Sequence, residues 1–531
     1  MNIKALFPIL DWLPHYNKKH LKGDISAGIT VGIMLIPQGM AYAMLAGLPP
    51  IYGLYAAIVP QLMYAILGTS RQLGVGPVAM DSLLVAVTVS QFAQAESDQY
   101  IALAILLAFM VGAIQLLLGL LRLGFLVNFL SHPVISGFTS AAALIIGFSQ
   151  LQYLMGVDLE RSQFLHEILI NAWTNLSAVN LYTLGIGLLG MVLIIGTKKL
   201  NKNIPAPLIV VVFGVLVVWF FGLETHGVAI VREVPSGLPP FQVPTFDPAS
   251  IQQLLASALT IALVAFMEAI AVAKAIHARH KDYKLVPNQE LIALGAGNLV
   301  GSFFQSFPGT GGFSRSAVND QAGAKTNLAA IISALFVLLT LLFLTPLFYY
   351  LPKAVLASII MVAVFKLISV SDAINLWKDG HKRDFFILLI TFVATLSIGI
   401  QLGILVGVLC SIMGTLYDSM FPKITVHTEQ VSPQSEALII HYKEQLYFAN
   451  SAFFKEQMET LLLQQPPAIK YLLLDGSSIP RIDSTGQKAL EDVLHSYQNK
   501  GIEVKLVAMP LNLSLPSFSS IKAAINSIKN K

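Results

Sequence analysis

The chain has 531 residues, 12% of them charged and 55% hydrophobic, with a mean hydropathy of +0.71. Soluble domains carry roughly 25% charged residues, so this composition excludes a soluble globular protein and predicts a polytopic membrane protein. The net charge of +4 says little by itself, but a single cysteine, Cys410, excludes an intrachain disulfide and a cysteine metal site; in its apolar run it predicts an inert buried thiol.

The polar, basic start ahead of Ile25 predicts no cleavable signal peptide. Up to about Phe421 the chain is a train of apolar runs. With a span of roughly 20 residues, about fourteen membrane segments are predicted. They fall near 25–46, 51–68, 73–92, 101–121, 128–153, 181–197, 206–222, 251–275, 288–305, 308–324, 327–347, 353–369, 384–400 and 401–420. The third and tenth stand apart, each polar and Gly/Pro-rich in its first half and helical in pattern only in its second.

Charge in the connections predicts orientation. With the N-terminus inside, the cytoplasmic side carries Lys4, Lys18, Lys19, Lys22, Arg71, Arg122, Lys198, Lys199, Lys202, Arg279, Lys281, Lys284, Lys325, Lys378, Lys382 and Arg383. The outer side carries only Arg161, Arg232 and Lys353, with acidic residues such as Glu96, Asp158 and Glu160. An even number of spans returns the tail to the cytoplasm. A seven-and-seven division makes the halves inverted repeats and puts the broken third and tenth segments at matching places, the sequence pointer to a transporter's binding site.

The tenth segment contains FFQSFPGTGGFSRSAVN, Phe303–Asn319. Pro308, Gly309, Gly311 and Gly312 break a helix. A helix resuming at Ser314, Arg315 and Ser316 aims free N–H groups and a guanidinium at one spot, an anion site inside a membrane. Its counterpart is the start of the third segment's helical half, at Pro77, Val78, Ala79 and Met80. Gln38 and Tyr42, four apart on the first span, share a face and add side-chain donors. The alternative is that Asp320 or Glu268 neutralises Arg315, which then only locks the repeats together. Glu268 is itself costly in a bilayer unless protonated or paired, which makes it a candidate proton carrier.

Asp81 reads as a structural carboxylate at a helix start, and Asp24 as an N-cap or interfacial contact. GAGNLVG, Gly295–Gly301, lacks a βαβ context and reads as close helix packing. The basic run His277–Lys284 reads as positive-inside anchoring.

From about Val426 the chain becomes an ordinary soluble mixture that reads β-β-α-β-α-β-α. Strands are predicted at 436–442, 445–449, 468–475 and 502–508, and helices at 451–464, 485–498 and 518–529. Ser484 and Thr485 open the second helix, as hydroxyl caps or as candidate phosphorylation sites. No nucleophile–base or metal constellation appears, so an enzyme is excluded, and no cofactor, metal or nucleic acid is expected.

Several stretches carry a family resemblance. PIYGLYAAIVPQLMYAILGTSR (Pro50–Arg71) resembles the signature of the SulP family of sulfate permeases and their animal anion-exchanger relatives. IPQGMAYAMLAGLPP (Ile36–Pro50), NQELIALGAGNLVGSFFQSF (Asn288–Phe307) and the Ser314–Ser316 triplet are similar to that family's first, ninth and tenth spans. IDSTGQKAL (Ile482–Leu490) resembles the STAS domain of anti-sigma-factor antagonists.

The resemblance implies a core and a gate domain built from the two inverted repeats, a homodimer, and a transmembrane domain at 1–425 followed by a cytoplasmic STAS domain at 426–531. It implies secondary anion transport across the inner (plasma) membrane, with sulfate and a coupled proton favoured and an elevator-like movement. Bicarbonate or dicarboxylate transport, sodium coupling, and exchange or channel-like conduction stay open. It further implies that positions matching Gln38 and Tyr42 line the substrate pocket, that a carboxylate matching Glu268 serves proton or sodium coupling in some members, and that Thr485 matches the phosphorylated hydroxyl. A regulatory protein on the STAS domain is a candidate partner, and a membrane-tethered signalling role for the tail is the competing class.

Overall fold

The computed structural model describes residues 6–529 apart from 126–130, 160, 161, 163, 201–204, 281, 433, 434, 465, 467, 468 and 512–514. Of the charges used for orientation, Lys4, Glu160, Arg161, Lys202 and Lys281 lie outside the described residues, as does the Lys198 side chain. The chain divides into two compact units, Met1–Val408 and Leu409–Lys531.

The first unit is helical. Its first half runs α1 (Ile9–Trp12), α2 (Lys18–Leu45), α3 (Pro50–Tyr55), α4 (Val59–Leu67), β1 (Val75–Gly76), α5 (Ala79–Val89), α6 (Asp98–Leu120), α7 (His132–Ser149), α8 (Leu151–Met155) and α9 (Leu165–Thr174). It continues with α10 (Leu181–Leu200), α11 (Ala206–Phe221), α12 (Pro248–His277), α13 (Pro287–Ser302), β2 (Thr310–Gly311), α14 (Phe313–Gln321), α15 (Leu328–Phe343), α16 (Lys353–Val364), α17 (Val370–Lys378) and α18 (Lys382–Ile398). The next helix, α19 (Ile400–Met420), begins at the end of this unit. Among the described residues seven helical stretches are long and apolar enough to cross a membrane, and four shorter apolar helices accompany them.

Local chemistry sets the boundaries. Asn17, Ser97 and Asp247 cap α2, α6 and α12 by accepting the N–H groups of Lys19, Tyr100 and Ser250. The second predicted segment is broken at Ala56–Ile58, because Pro60 has no N–H to give the Ala56 carbonyl and its ring crowds that oxygen. The short helices α1, α9 and α17 were not anticipated, since a window sized for a membrane span passes over mixed segments of 4, 10 and 9 residues. Cys410 is free and only half-buried, not the buried thiol expected from its apolar run.

Helices α6 and α13 pack backbone to backbone. A methyl on Gly295 would meet the Gly112 carbonyl at 2.8 Å, so GAGNLVG does serve helix packing. Asp24 caps neither its own helix nor the interface. It is fully buried and accepts from Tyr16 Oη (3.1 Å), Lys325 N (2.7 Å), Thr326 N (3.0 Å) and Thr326 Oγ1 (2.7 Å), holding the approach to α15.

The second unit is a five-stranded sheet in the order β3-β4-β5-β6-β7, with strands at Ile424–Ser432, Ser435–Tyr442, Ile469–Asp475, Glu503–Val507 and Ser517–Phe518. The β3–β4 pair is antiparallel and the others are parallel. Side chains alternate across the sheet. Leu438 and Ile440 pack with Phe454 of α20 (Ser451–Leu463) and Val493 of α21 (Ser484–Asn499), while Ala437 and Ile439 pack with Ile525 of α22 (Ile521–Lys529).

The predicted strand at 445–449 is absent. Asn450 folds that stretch into a turn, its Oδ1 accepting from Tyr447 N at 3.0 Å and its Nδ2 donating to the Gln445 carbonyl at 2.8 Å. The hairpin partner of β4 is instead β3, upstream. It is an edge strand with one buried residue, Val431, so its hydrophobic alternation is weak.

Candidate functional site

Two short strands cross at the heart of the first unit. Val75 pairs with Gly311 and Gly76 with Thr310, antiparallel, and Gly312 N donates to the Gly74 carbonyl at 3.0 Å. Antiparallel pairing sends the chain into α5 and α14 in opposite directions. Glycine is needed here for close approach, since a methyl on Gly309 would meet the Gly76 carbonyl at 2.8 Å. Thr310 Oγ1 anchors the crossing to the Ala265 carbonyl of α12 at 2.7 Å.

Both helices that leave the crossing start without a side-chain cap. Their N-cap residues are Val78 and Gly312, which have no side-chain oxygen to offer. Helices α4, α13 and α16 also start without a side-chain cap; what sets α5 and α14 apart is that both open at one place, each with the positive end of its helix dipole.

These two starts line one small cavity of about 120 Å³, well under the roughly 300–1,000 Å³ of pockets for drug-sized ligands. Val78, Ala79 and Met80 come from α5 and its cap, Ser314 and Arg315 from α14, Gln38 and Tyr42 from α2, and Glu268 from α12. The structure therefore brings together every candidate site residue of the membrane region except Ser316. The Ser316 hydroxyl accepts from Gly74 N at 2.9 Å and donates to the Gly312 carbonyl at 2.8 Å, so it fastens the crossing from behind.

Arg315 is 2% exposed. Its Nη1 donates to the Pro77 carbonyl, its Nη2 reaches the Thr310 carbonyl at 3.4 Å, and its Nε has no partner. Among the described residues the guanidinium forms no ion pair. Asp320 is committed elsewhere, to Arg279 at 3.2 Å and His280 at 2.5 Å. The basic run His277–Lys284 thus does more than anchor the chain at a membrane surface. Glu268 lines the cavity with its Oε2 buried and unpartnered. Gln38 and Tyr42 are buried, and their side chains have no hydrogen-bond partner among the described residues.

Asp81, in the first turn of α5, is fully buried and neither carboxylate oxygen has a partner. It does not cap α5, so a purely structural role finds no bond to support it. It lies within electrostatic reach of Glu268 and Arg315. The facing wall differs in kind. Ile135 and Phe138 of α7, with Val364 and Leu367 at the end of α16, make it largely apolar.

Sequence reasoning missed the polar framework around the cavity. Glu290 of α13 is fully buried and accepts from Tyr64 Oη (2.6 Å), Thr69 N (2.7 Å), Thr69 Oγ1 (2.6 Å) and Ser70 N (3.2 Å). Gln115 donates to the Ala262 carbonyl at 3.1 Å and accepts from Asn298 at 3.1 Å, and Asn298 in turn receives Gly309 N at 2.9 Å. Polar residues in the apolar runs of α6 and α13 were the available signal.

In the second unit Ser484 and Thr485 are exposed in the first turn of α21, but neither is its cap. Asp483 takes that role, accepting from Gly486 N at 2.7 Å and also from Phe448 N at 3.0 Å. A carboxylate one position earlier outcompetes the two hydroxyls for the free N–H groups.

A multi-pass membrane bundle with two uncapped half-helices at a small cavity, followed by an α/β unit, defines a membrane transporter with an appended soluble domain. The chain belongs to the sulfate permease family, a family of transporters and not of enzymes: the family's model matches residues 21–391, and that of the STAS domain residues 427–512. Sulfate transporter 4.1, chloroplastic, of Arabidopsis thaliana is 38% identical over 537 residues, covering 95% of this chain and 78% of that protein. High affinity sulfate transporter 2 of Stylosanthes hamata is 35% identical over 541 residues, covering 95% and 81%. Among solved structures, the murine Solute Carrier 26 family member A9 anion transporter in the inward-facing state superposes with a TM-score of 0.90 at 27% identity, covering 100% of this chain and 95% of that one. The transmembrane domain of the cyanobacterium bicarbonate transporter BicA shares the fold, with a TM-score of 0.63 at 23% identity over 75% of this chain and 98% of that one.

Proposed function

We propose that this chain is a secondary active transporter of an inorganic anion, with sulfate the favoured substrate and a proton as co-substrate. The observation that carries the reading is the pair of uncapped helix starts which, with Arg315, line one small cavity. Two positive helix ends and a guanidinium without an ion pair make a compact site that favours an anion. Sulfate is favoured because the relatives above are named as sulfate transporters.

In this reading Val78, Ala79, Met80, Ser314 and Arg315 bind the anion, and Gln38 and Tyr42 add side-chain donors. Ser316 braces the site and does not contact the anion. Glu268 takes the coupled proton, its unpartnered oxygen supporting that role. The half-helices and α12 then move as a core against a gate that includes α7 and α16, elevator-like. The apolar facing wall supports this, since a surface without hydrogen bonds to break is one a polar core can slide along. Two inverted repeats and a homodimer complete the proposed architecture. We assign 1–425 to transport and 426–531 to a cytoplasmic STAS domain, with both termini on the cytoplasmic side of the inner (plasma) membrane. Thr485, with Ser484 beside it, is the proposed phosphorylation site, and a regulatory protein the proposed partner of that domain.

Uptake into proteoliposomes tests the reading, with sulfate, bicarbonate and fumarate each offered with and without a proton or sodium gradient. Sulfate accumulation driven by an inward proton gradient is expected. Arg315→Ala abolishes it, and Glu268→Gln leaves sulfate flux that no longer follows the proton gradient. Accumulation of bicarbonate or fumarate instead reassigns the substrate. Flux without accumulation makes the protein an exchanger or a channel-like conductor, and unchanged uptake in Arg315→Ala removes the site.

A further inference from the structure

A second cavity, of about 450 Å³, opens where α4 and α6 end and α13 begins. Three helix ends at one level mark a bilayer boundary. Arg71, just after α4, Arg122, just after α6, and Lys284, just before α13, all line it. Asp11 of α1 is the one carboxylate among the lining residues. Arg71 is already engaged with Asp282 at 3.1 Å and over the Tyr283 ring at 5.4 Å. Arg122 and Lys284 form no ion pair among the described residues.

The wall opposite these cations is α1. Its Trp12 is 6% exposed, lines the cavity, and keeps its indole N–H buried with no partner. An indole N–H buried without a partner is unfavourable, and an acceptor brought against this wall of the cavity would relieve it. Asn288, also on the wall, accepts Gly124 N at 2.8 Å and has its amide donor to give. The apolar rim is Leu120, which lines the cavity, with Leu117 and Leu121 beside it at the end of α6; each is more than a third exposed.

We infer that this cavity holds the phosphate of an anionic phospholipid. Arg122 and Lys284 neutralise the phosphate, the Trp12 indole donates to one of its oxygens, and the acyl chains lie along the leucine rim. The shared chemistry is a phosphate ester, which a free phosphate would also supply. The rim favours the lipid, because a soluble anion gives the exposed Leu120 side chain nothing to contact. Diffuse attraction of basic loops to an anionic leaflet explains neither a cavity among the cations nor an unpaired indole.

Native mass spectrometry of the full-length protein in neutral detergent, titrated with phosphatidylglycerol or phosphatidylcholine, tests this. Phosphatidylglycerol is expected to bind at least tenfold more tightly. The double variant Arg122→Gln/Lys284→Gln weakens it roughly thirtyfold, from about 1 kcal/mol per cation, and leaves phosphatidylcholine unchanged. Trp12→Phe, which removes only the donor, weakens it severalfold and keeps the test open if the double variant fails to fold. Glycerol 3-phosphate at millimolar concentration is expected not to displace the lipid. Displacement by it would assign the cavity to a soluble phosphate and overturn the inference, as would equal binding of the two lipids or wild-type affinity in a folded Trp12→Phe or double variant.

Discussion

Arg315 donates through Nη1 to the carbonyl oxygen of Pro77, at 2.5 Å and 238 positions earlier in the chain. The bond ties the two broken segments together while spending only one donor of a five-donor fork. The acceptor is neutral, so the charge stays available, and Nε has no partner at all. A lysine at this place keeps the charge but is a single compact ammonium. Arg315→Lys is expected to lower sulfate uptake at subsaturating concentration by tenfold or more, from a charged hydrogen bond of about 1.5–3 kcal/mol. Uptake within twofold of wild type, from protein of equal melting temperature, would show that the fork is not used.

Glu290 is the opposite kind of buried acid. Its Oε1 receives Thr69 N, Thr69 Oγ1 and Ser70 N, and its Oε2 receives Tyr64 Oη. Glu290→Gln can keep its carbonyl toward the three donors and let the Tyr64 hydroxyl turn to accept, so a loss of about 1–2 kcal/mol is expected. Glu290→Leu leaves buried N–H groups unpaired, and about 3 kcal/mol or more is expected. Thermal melts of the two variants should fall in that order, with the concentration for half-maximal uptake unchanged in whatever folded protein is recovered.

The difference between these two residues explains what the sequence made legible. Arg315 is a charge in an apolar run, and such a charge announces itself without knowledge of the fold. Gln38 and Tyr42 followed from a spacing of four on one helix. Ser316 was misplaced because consecutive helical residues fan out by about 100° each, so Ser314, Arg315 and Ser316 cannot all face one cavity. Glu290 was invisible because an acid in the first turn of a helix reads as a dipole-favoured surface residue. Its donors come from Thr69 and Ser70, more than two hundred positions away. Asp24 was misread for the same reason. The hairpin strand β3 was lost because an edge strand need not bury a face.

The signature stretch that starts at Pro50 contains Gly53, and its role is steric. A methyl on Gly53 would collide with the carbonyl of Gly39 in α2, backbone against backbone. No side-chain rotation relieves that clash, so α2 and α3 would have to separate. Gly53→Ala is expected to cost more than the roughly 1–3 kcal/mol of ordinary overpacking, and to abolish recovery of monodisperse protein on size exclusion. Wild-type yield and melting temperature in this variant would refute the close approach.

Asp483 carries a pH dependence that lies outside the membrane. The Gly486 N–H, with the Phe448 N–H behind it, holds its carboxyl below the ordinary carboxylate range. Because the folded-state value is depressed, its stabilising contribution is present above the unfolded value of about 3.9. It is lost as pH falls through the folded value. Hydrogen exchange of the full-length protein, corrected for intrinsic rates, should show protection at Phe448 and Gly486 falling below about pH 4. Asparagine also caps helices but does not titrate, so Asp483→Asn should flatten that fall. An equally steep fall in the variant would assign it to other carboxylates.

Asp81 differs from Glu290 and Asp24 in that the fold does nothing to satisfy it. It is fully buried with two unpartnered oxygens, whereas the equally buried Glu290 and Asp24 collect four hydrogen bonds each. Leaving a buried polar group unpaired costs about 1–3 kcal/mol, and such a cost is most readily sustained where function uses the group. It lies within electrostatic reach of Glu268 and Arg315, so replacing the carboxyl should alter the cavity's preference for an anion. Asp81→Asn nearly preserves shape and removes the charge. It is expected to raise the melting temperature while changing the anion concentration for half-maximal uptake by severalfold. A lower melting temperature with unchanged transport would mean that the carboxylate is a structural partner, and that the oxygens are satisfied by water in the membrane-embedded protein.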